Sequence, residues 1–489
     1  MARSAPPLSG AYRSGPLVLE DAALFTDYYE LTMAASYLRE GMKADATFSL
    51  FVRRLPAGRG YLVAAGLADA LDFLEQFRVS ESAIASLSAL KRLPPEALDR
   101  LASLRFTGSV RAVAEGAPVF ADEPLLEVTA PIVEAQLVES AILSICHLET
   151  LLASKAARCV QAARGKPVVE FGLRRTHGID AGLKAARCAF IAGAAMTSDV
   201  LGGLTYGVPI TGTMAHSYVT AFPHEIDAFR AFAAAFPSQT VLLIDTYDTV
   251  AAARKAVVVA RELAARGERL AGVRLDSGDL VALSRQVRAV LDEAGLDDVQ
   301  ILASGNLDET AIARCEAAGA PIDAYGVGTR MTVSADAPYL DMAYKLVRYA
   351  GRDVLKTSPG KETWTGEKQI YRRRDAAGYL LEDTVAARWE PAPAGAEPLL
   401  ETVMRAGRRV APPPPLTEVR AHCARSLAAL PEPVRRLEQP VPYAVHYSPA
   451  LRTHQAAVRA ATLAAEAGDA FTIVSPPSRD ASVGASHRG

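Results

Sequence analysis

From residue 167 onward, short apolar runs alternate with stretches long enough to form helices, and this alternation restricts the fold more than any other feature of the chain. The runs lie at 168–171, 208–211, 241–244, 272–275, 300–303 and 324–327, and helical spacing fills 249–266, 280–294 and 308–318 between them. A helix after each strand returns the chain to the same end of the sheet, so successive strands run parallel. Six such units predict a closed or nearly closed α/β barrel over residues 166–343.

The flanking segments read differently. Residues 17–165 predict an α/β domain with a helix at 26–39, where Leu31, Ala34, Ala35 and Leu38 share a face. A strand at 46–52, further strand at 119–128 broken at 122–124, and a long amphipathic helix at 134–164 follow. After residue 343 the alternation stops. Runs at 344–349, 368–373 and 379–385 predict a hairpin-rich β region, part of a 344–474 segment that completes the first domain. Pro412 to Pro415 predict a surface linker, and the polar ends, 1–16 and 475–489, are predicted to be disordered.

Bulk properties exclude several classes of function. A net charge of −2 over 489 residues offers no electrostatic reason to bind nucleic acid or an anionic membrane. Arg187 and Asp199 interrupt the best candidate for a membrane span, and the first 15 residues lack the apolar stretch of a signal peptide. Five cysteines without CxxC spacing predict reduced thiols in a cytoplasmic protein.

In α/β barrels functional groups gather where strands end and loops begin. Here those positions are polar: Gly172-Leu-Arg-Arg-Thr-His177, Gly212-Thr-Met-Ala-His-Ser217, the end of Gly272-Val-Arg-Leu-Asp-Ser-Gly-Asp279, Ser304-Gly-Asn306 and Gly326-Val-Gly-Thr-Arg330. The last two predict phosphate cradles, because glycine lets backbone N–H groups approach an anion and a following helix adds a favourable dipole. Arg174, Arg175 and Arg274 are candidates to clamp phosphate or carboxylate with a bidentate fork. Asp276 and Asp279 have two readings. One is Mg2+ ligation or stabilisation of a cationic transition state; the other is capping of the helix that begins at Leu280. His216, set among small residues, is the candidate nucleophile, whereas His177 and His224 suit structural roles. Asp245 and Asp248 read as strand-end and capping residues, and the basic run Arg372-Arg-Arg374 as a solvated hairpin face.

Six segments, in order, closely resemble the nicotinate phosphoribosyltransferase family, the ATP-assisted enzymes of pyridine nucleotide salvage. They are Thr26-Asp-Tyr-Tyr-Glu-Leu-Thr-Met33, Glu170-Phe-Gly-Leu-Arg-Arg175, Gly212-Thr-Met-Ala-His-Ser217, Gly272-Val-Arg-Leu-Asp-Ser-Gly-Asp279, Ser304-Gly-Asn306 and Gly326-Val-Gly-Thr329. The resemblance implies an irregular TIM-like α/β barrel plus an α/β domain formed from N-terminal and later C-terminal segments. It also implies a head-to-tail homodimer with shared active sites, and nicotinate, phosphoribosyl pyrophosphate and ATP as substrates. By the same resemblance, Tyr29 stacks on the pyridine ring from the neighbouring subunit, opposite Phe171, with Asp27 supporting that corner. Arg274 holds the nicotinate carboxylate or the phosphoribosyl group, with Arg174 and Thr213 close by. Arg174, Arg175, Ser277, Gly278 and Ser304 belong to the phosphoribosyl pyrophosphate site. Gly326 belongs to it as well, and Gly305, Asn306, Gly328 and Thr329 complete it as the cradle of the 5-phosphate. His216 is implied to be the histidine that ATP phosphorylates. Asp276 and Asp279 stabilise positive charge on the ribose or bind the Mg2+ that neutralises departing pyrophosphate.

One position departs from the family pattern: Thr197-Ser-Asp199 carries Asp where Asn is expected. The related nicotinamide-using enzymes carry Asp at or beside this position, so nicotinamide is the alternative substrate. A carboxylate there repels nicotinate unless it is protonated or turned away. An alternative of a different class, a barrel that binds phosphoribosyl ligands without turnover, is opposed by retention of His216, Asp276, Asp279 and both cradles. A barrel aldolase needs a Schiff-base lysine or a histidine-rich metal site, and Lys184 and Lys345 are poor candidates. Residues 241–249 lack the paired acids and Thr-Gly-Gly of the pyrophosphate loop in nucleotide-recycling phosphoribosyltransferases.

Overall fold

The alternating half of the chain forms a six-stranded, all-parallel sheet in the computed structural model, which describes residues 23–358 and 361–468. In spatial order the strands are Met196–Thr197, Val168–Glu170, Ala324–Val327, Gln300–Ala303, Gly272–Leu275 and Val241–Leu243. The sheet curls into a half-barrel, and its two end strands do not pair with each other among the described residues. The expected strand at 208–211 is a single bridge from Thr197 to Ile210 instead. Pro209 explains this: without an N–H it breaks the ladder, although its carbonyl still accepts from Thr197 N at 3.0 Å. The second strand is Met196–Thr197, a pair too short to show periodicity in the sequence.

Helices cover the outer face. Thr249–Ala264 buries Ala252, Ala253, Ala256 and Ala260, small residues that let its axis approach the sheet closely. Its N-terminus is capped by Asp248, which accepts from Ala251 N at 2.7 Å. Leu280–Glu293 and Glu309–Ala317 follow their strands in the same way.

A seven-stranded sheet forms the second layer, built from both ends of the chain as expected. Asp45–Val52 lies between Met342–Tyr349 and Pro124–Pro131, antiparallel to both, and Phe48 stacks on Tyr344 with ring centroids 4.8 Å apart. The helix Glu139–Ala162 joins the layers, packing on the barrel helices Ile179–Ile191 and Glu309–Ala317 and on the strand Leu62–Val63. It is buried along much of its length, which is why its apolar positions are interrupted by paired charges such as Lys155 and Arg158.

Lys368–Arg374 and Leu380–Ala387 form the expected hairpin within a four-stranded sheet. The basic run on it is not wholly solvated. Arg372 is buried, pairing with Asp383 at 2.6 Å and donating to Pro118 O at 2.9 Å. Arg373 faces the opposite side of the strand, and a register shift after it turns Arg374 outward as well. Pro412 to Pro415 are exposed and lead into the helix Leu416–Ala428. The predicted disordered ends, 1–16 and 475–489, lie outside the described residues. No helix among the described residues is long and apolar enough to cross a membrane.

Candidate active site

The C-terminal ends of the parallel strands converge on Arg274. Its guanidinium is engaged on every arm: Nε donates to Ser304 Oγ at 3.0 Å, Nη1 to Thr213 Oγ1 at 2.7 Å and Met214 O at 3.2 Å, and Nη2 to Asp276 Oδ1 at 3.0 Å. The Phe171 ring lies against it, 5.7 Å from centroid to guanidinium carbon. One planar cation therefore ties three strand ends to the 211–214 segment, a task that needs the rigid fork of arginine.

Asp276 is the second hub. Its Oδ1 also accepts from Ser304 Oγ at 2.5 Å, and its Oδ2 lies 3.8 Å from His216 Nε2. Burial raises the affinity of this carboxyl for a proton. The Ser304 hydroxyl, the Arg274 guanidinium and His216 outweigh that effect and hold it below the usual carboxylate range. His216 shares a hydrogen bond from Nδ1 to Thr246 Oγ1 at 3.1 Å, which sets the rotation of the ring and leaves Nε2 facing the carboxylate. Asp245 accepts from Asp276 N at 3.0 Å and from Ser277 Oγ at 2.5 Å through Oδ2. Its Oδ1 is buried with no hydrogen-bond partner among the described residues.

Asp279 takes the capping role of its two readings: Oδ1 accepts from Val281 N and Ala282 N, both at 3.1 Å, at the start of Leu280–Glu293. Its carboxylate is thus engaged by the helix. No group of three or more His, Cys, Asp or Glu side chains among the described residues is arranged to hold a metal ion unaided.

Both glycine segments lie beside this cluster. Gly305 has φ +91°, and a Cβ there would stand 1.8 Å from Asp276 O, so only glycine lets the first segment pass so close to the strand end. A Cβ at Gly326 would stand 2.5 Å from the Phe171 ring. Asn306 is exposed at the tip of the first segment with φ +52°, while Gly328 and Thr329 are half-buried at the start of a short helix. Ser304 is buried, and its hydroxyl is committed to Arg274 and Asp276. Ser277 and Gly278 are exposed above it.

A separate cavity of about 510 Å³ lies beside the Val168–Glu170 end, lined by Leu173, Arg174, Gly178, Ile179, Asp199 and Leu201 among others. Arg174 and Arg175 are exposed on the turn Leu173–Arg175. Asp199 is buried at the head of the helix Val200–Tyr206; its Oδ2 has no hydrogen-bond partner among the described residues and is turned onto Gly202. Tyr29 is half-exposed on the helix Tyr28–Arg39 of the other layer, with its hydroxyl toward Glu30. Asp27, at the head of that helix, accepts from Ser140 Oγ at 2.9 Å.

The sequence reading takes Asp245 as a strand-end residue only, and it singles out neither Thr246 nor Glu170. Asp245 carries a signal, an apolar run ending in an acid, as at Leu275-Asp276. Thr246 carries none. Glu170 is buried inside a quoted motif, accepting from Gly172 N and from Thr197 Oγ1 at 2.6 Å, and so it shapes the Phe171–Gly172 corner.

The sequence comparisons with known proteins agree on one family. The chain matches the nicotinate phosphoribosyltransferase N-terminal domain over residues 24–147 and the C-terminal domain of the same family over 388–455. It is 49% identical to a nicotinate phosphoribosyltransferase of Mycobacterium tuberculosis, covering 85% of this chain and 89% of that one. With the Bacillus subtilis nicotinate phosphoribosyltransferase it shares 39% identity over 76% of this chain and 77% of the relative. The crystal structure of human nicotinic acid phosphoribosyltransferase superposes with a TM-score of 0.81 at 31% identity, covering 88% of this chain and 99% of that one.

Proposed function

The chain belongs to the nicotinate phosphoribosyltransferase family, and we propose that the strand ends around Arg274 join nicotinate to phosphoribosyl pyrophosphate with the assistance of ATP. The ring nitrogen of nicotinate forms a bond to C1 of the ribose. The C1–oxygen bond breaks, and its electron pair leaves with pyrophosphate, giving nicotinate mononucleotide.

The observation that carries this reading is the Arg274–Asp276 pair, in which a fixed cation and a fixed carboxylate sit side by side under two glycine segments. Arg274 suits an anionic group, either the nicotinate carboxylate or a phosphoribosyl oxygen. Asp276, kept charged by Ser304 and Arg274, faces the place where positive charge develops on the ribose as pyrophosphate departs. The segments 304–306 and 326–329 offer backbone N–H groups to the 5-phosphate. Phe171 provides one wall for the pyridine ring.

His216 is the group through which ATP acts in this reading. Thr246 occupies Nδ1, so Nε2 takes the γ-phosphoryl group as ADP leaves, and water later releases phosphate. Asp276, 3.8 Å from Nε2, couples the state of the histidine to the transfer site. The residues also fit Mg2+, which is ordinarily held by one or two carboxylates together with substrate phosphates. The unpartnered Oδ1 of Asp245 and the carboxylate of Asp276 would be the donors here, with Asp279 engaged by its helix. Bound there, Mg2+ would neutralise pyrophosphate charge.

Asp199 lines the cavity beside Arg174 with its buried, unpartnered Oδ2 against Gly202, so the choice between nicotinate and nicotinamide falls to the substrate test below. A homodimer with shared sites is supported by two exposed apolar patches: Phe25, Tyr28 and Tyr29 on one layer, and Ile179, Val200 and Leu204 around the Asp199 cavity on the other. Head-to-tail pairing covers both and brings Tyr29 to the pyridine ring opposite Phe171. Five free, buried cysteines support a reducing, cytoplasmic setting.

The test is product formation from phosphoribosyl pyrophosphate and Mg2+, with nicotinate or nicotinamide, each with and without ATP. Nicotinate mononucleotide, formed faster with ATP and with phosphate on His216, is the expected result. Nicotinamide mononucleotide would transfer the specificity role to Asp199, and no product from either base would leave a binding barrel.

A further inference from the structure

Behind the two glycine segments lies a largely buried ion cluster, open to solvent only at Asp336, that the reaction itself does not use. Lys155, from the long helix Glu139–Ala162, places its Nζ 2.5 Å from Glu309 Oε2 and 2.7 Å from Asp336 Oδ1. Glu309 stands three residues after Asn306, at the start of the helix that follows the first glycine segment. Asp336 follows the second segment, just past the short helix Thr329–Thr332. One ammonium group therefore joins the chain leaving both cradles, and the helix that carries it belongs to neither.

Two further cations brace the bridge. Arg158 donates from Nε to Glu309 Oε1 at 2.8 Å and from Nη1 to Gly58 O at 2.9 Å. Arg59, next to that glycine, donates from Nη2 to Asp336 at 3.1 Å and to Ser334 Oγ at 2.7 Å. Ser334 has φ +46°, a left-handed conformation that the Arg59 contact helps to hold. Arg330 and Asp308 pair separately at 2.7 Å and link the two segments once more on the outer side.

We infer that Lys155 is a positioning residue for the 5-phosphate site: it sets the spacing between the 304–306 and 326–329 segments and so governs affinity for phosphoribosyl pyrophosphate. Two physical arguments support this. Backbone N–H groups bind phosphate only when both segments are held at one separation, and a misplacement of an ångström in such a site costs about a hundredfold in rate. The cluster also sets three cations, Lys155, Arg158 and Arg59, against two carboxylates, Glu309 and Asp336, leaving surplus positive charge behind the loops that receive an anion. A buried ion pair kept only for folding would affect both substrates and stability alike.

The inference rests on the reaction proposed above, and binding measurements separate the two. Lys155→Met and Asp336→Asn in the full chain are compared with the parent by calorimetric titration with phosphoribosyl pyrophosphate and Mg2+, by the KM of each substrate, and by thermal unfolding. In folded Lys155→Met, the Kd and KM for phosphoribosyl pyrophosphate rise about ten- to a hundredfold. The KM for nicotinate and the ATP-dependent labelling of His216 stay within about twofold. Asp336→Asn, at a side chain 35% exposed and so less critical to folding, shifts in the same direction by less. Unchanged phosphoribosyl pyrophosphate affinity in either folded variant, or an equal loss for both substrates, overturns the inference. If Lys155→Met does not fold, Asp336→Asn decides alone. A parent protein that binds phosphoribosyl pyrophosphate but makes no nucleotide overturns the proposed reaction and leaves the binding comparison decisive; one that does not bind it overturns both.

Discussion

His216 Nε2 lies 3.8 Å from Asp276 Oδ2. In the proposed reaction the first residue carries phosphate from ATP and the second faces the ribose, so a charge change at one is felt at the other. His216→Ala is expected to abolish ATP stimulation and covalent labelling while slow, ATP-independent transfer persists. Initial rates with and without ATP, together with phosphopeptide mapping, check this; a labelled His216→Ala protein would refute it.

Asp276→Asn removes the carboxylate and keeps the shape. The kcat is expected to fall by about two to three orders of magnitude, the range for loss of one preorganised electrostatic contact. The KM for nicotinate should change little. Steady-state kinetics at saturating ATP measure both.

Ser304→Ala acts on the acidity of Asp276. Burial raises that carboxyl, and the Ser304 hydroxyl is the foremost of the groups that together bring it below its ordinary value. The folded pKa is lowered, so the charged form contributes stability and activity above the ordinary aspartate value and loses them as pH falls through the lowered one. Without the hydroxyl, the acid limb of kcat/KM moves to higher pH. A pH–rate profile reads the shift.

Glu30 has the opposite sign. Burial, with Glu139 adding to it, pushes its carboxyl up to about 7 against the hydrogen bonds to Tyr29 and Gln136. The folded chain thus holds a proton that the unfolded chain releases, and stability falls as pH rises from the ordinary glutamate value toward about 7. Glu30→Gln should flatten that part of the curve of unfolding midpoint against pH.

Arg372→Leu leaves Asp383 and the neighbouring buried Glu123 without their cation. Removing one partner of such a pair costs about 3–5 kcal/mol. Denaturant unfolding measures the loss, and a surface-like effect within about 0.5 kcal/mol would restore the solvated reading of the run.

Much of the architecture was legible because it rests on local rules. The strand Gly272–Leu275 and the helix after it follow from an apolar run, a polar turn and an aspartate cap within a dozen residues. Asp248 and Asp308 cap their helices by the same logic. The segment at 208–211 misled because its composition is strand-like while Pro209 removes a ladder donor, and Met196–Thr197 is too short to announce itself.

The parallel order of elements, the strand ends where chemistry collects, and the family to which six ordered motifs point are all written in the linear chain. Periodicity, capping and glycine placement act over a few residues, so they survive in a linear reading. Which groups meet depends on the fold in three dimensions. Ser304 turns its hydroxyl to Arg274 and Asp276, Asp279 spends its carboxylate on a helix, and Asp245 joins from a strand thirty-one residues before Asp276. Arg372 and Lys155 are buried because partners 11 and 154 residues away supply the opposite charge. Charge burial is settled by what lies across the fold: hairpin register brings Asp383 to Arg372, and no short window of sequence contains both sides of the Lys155 contact.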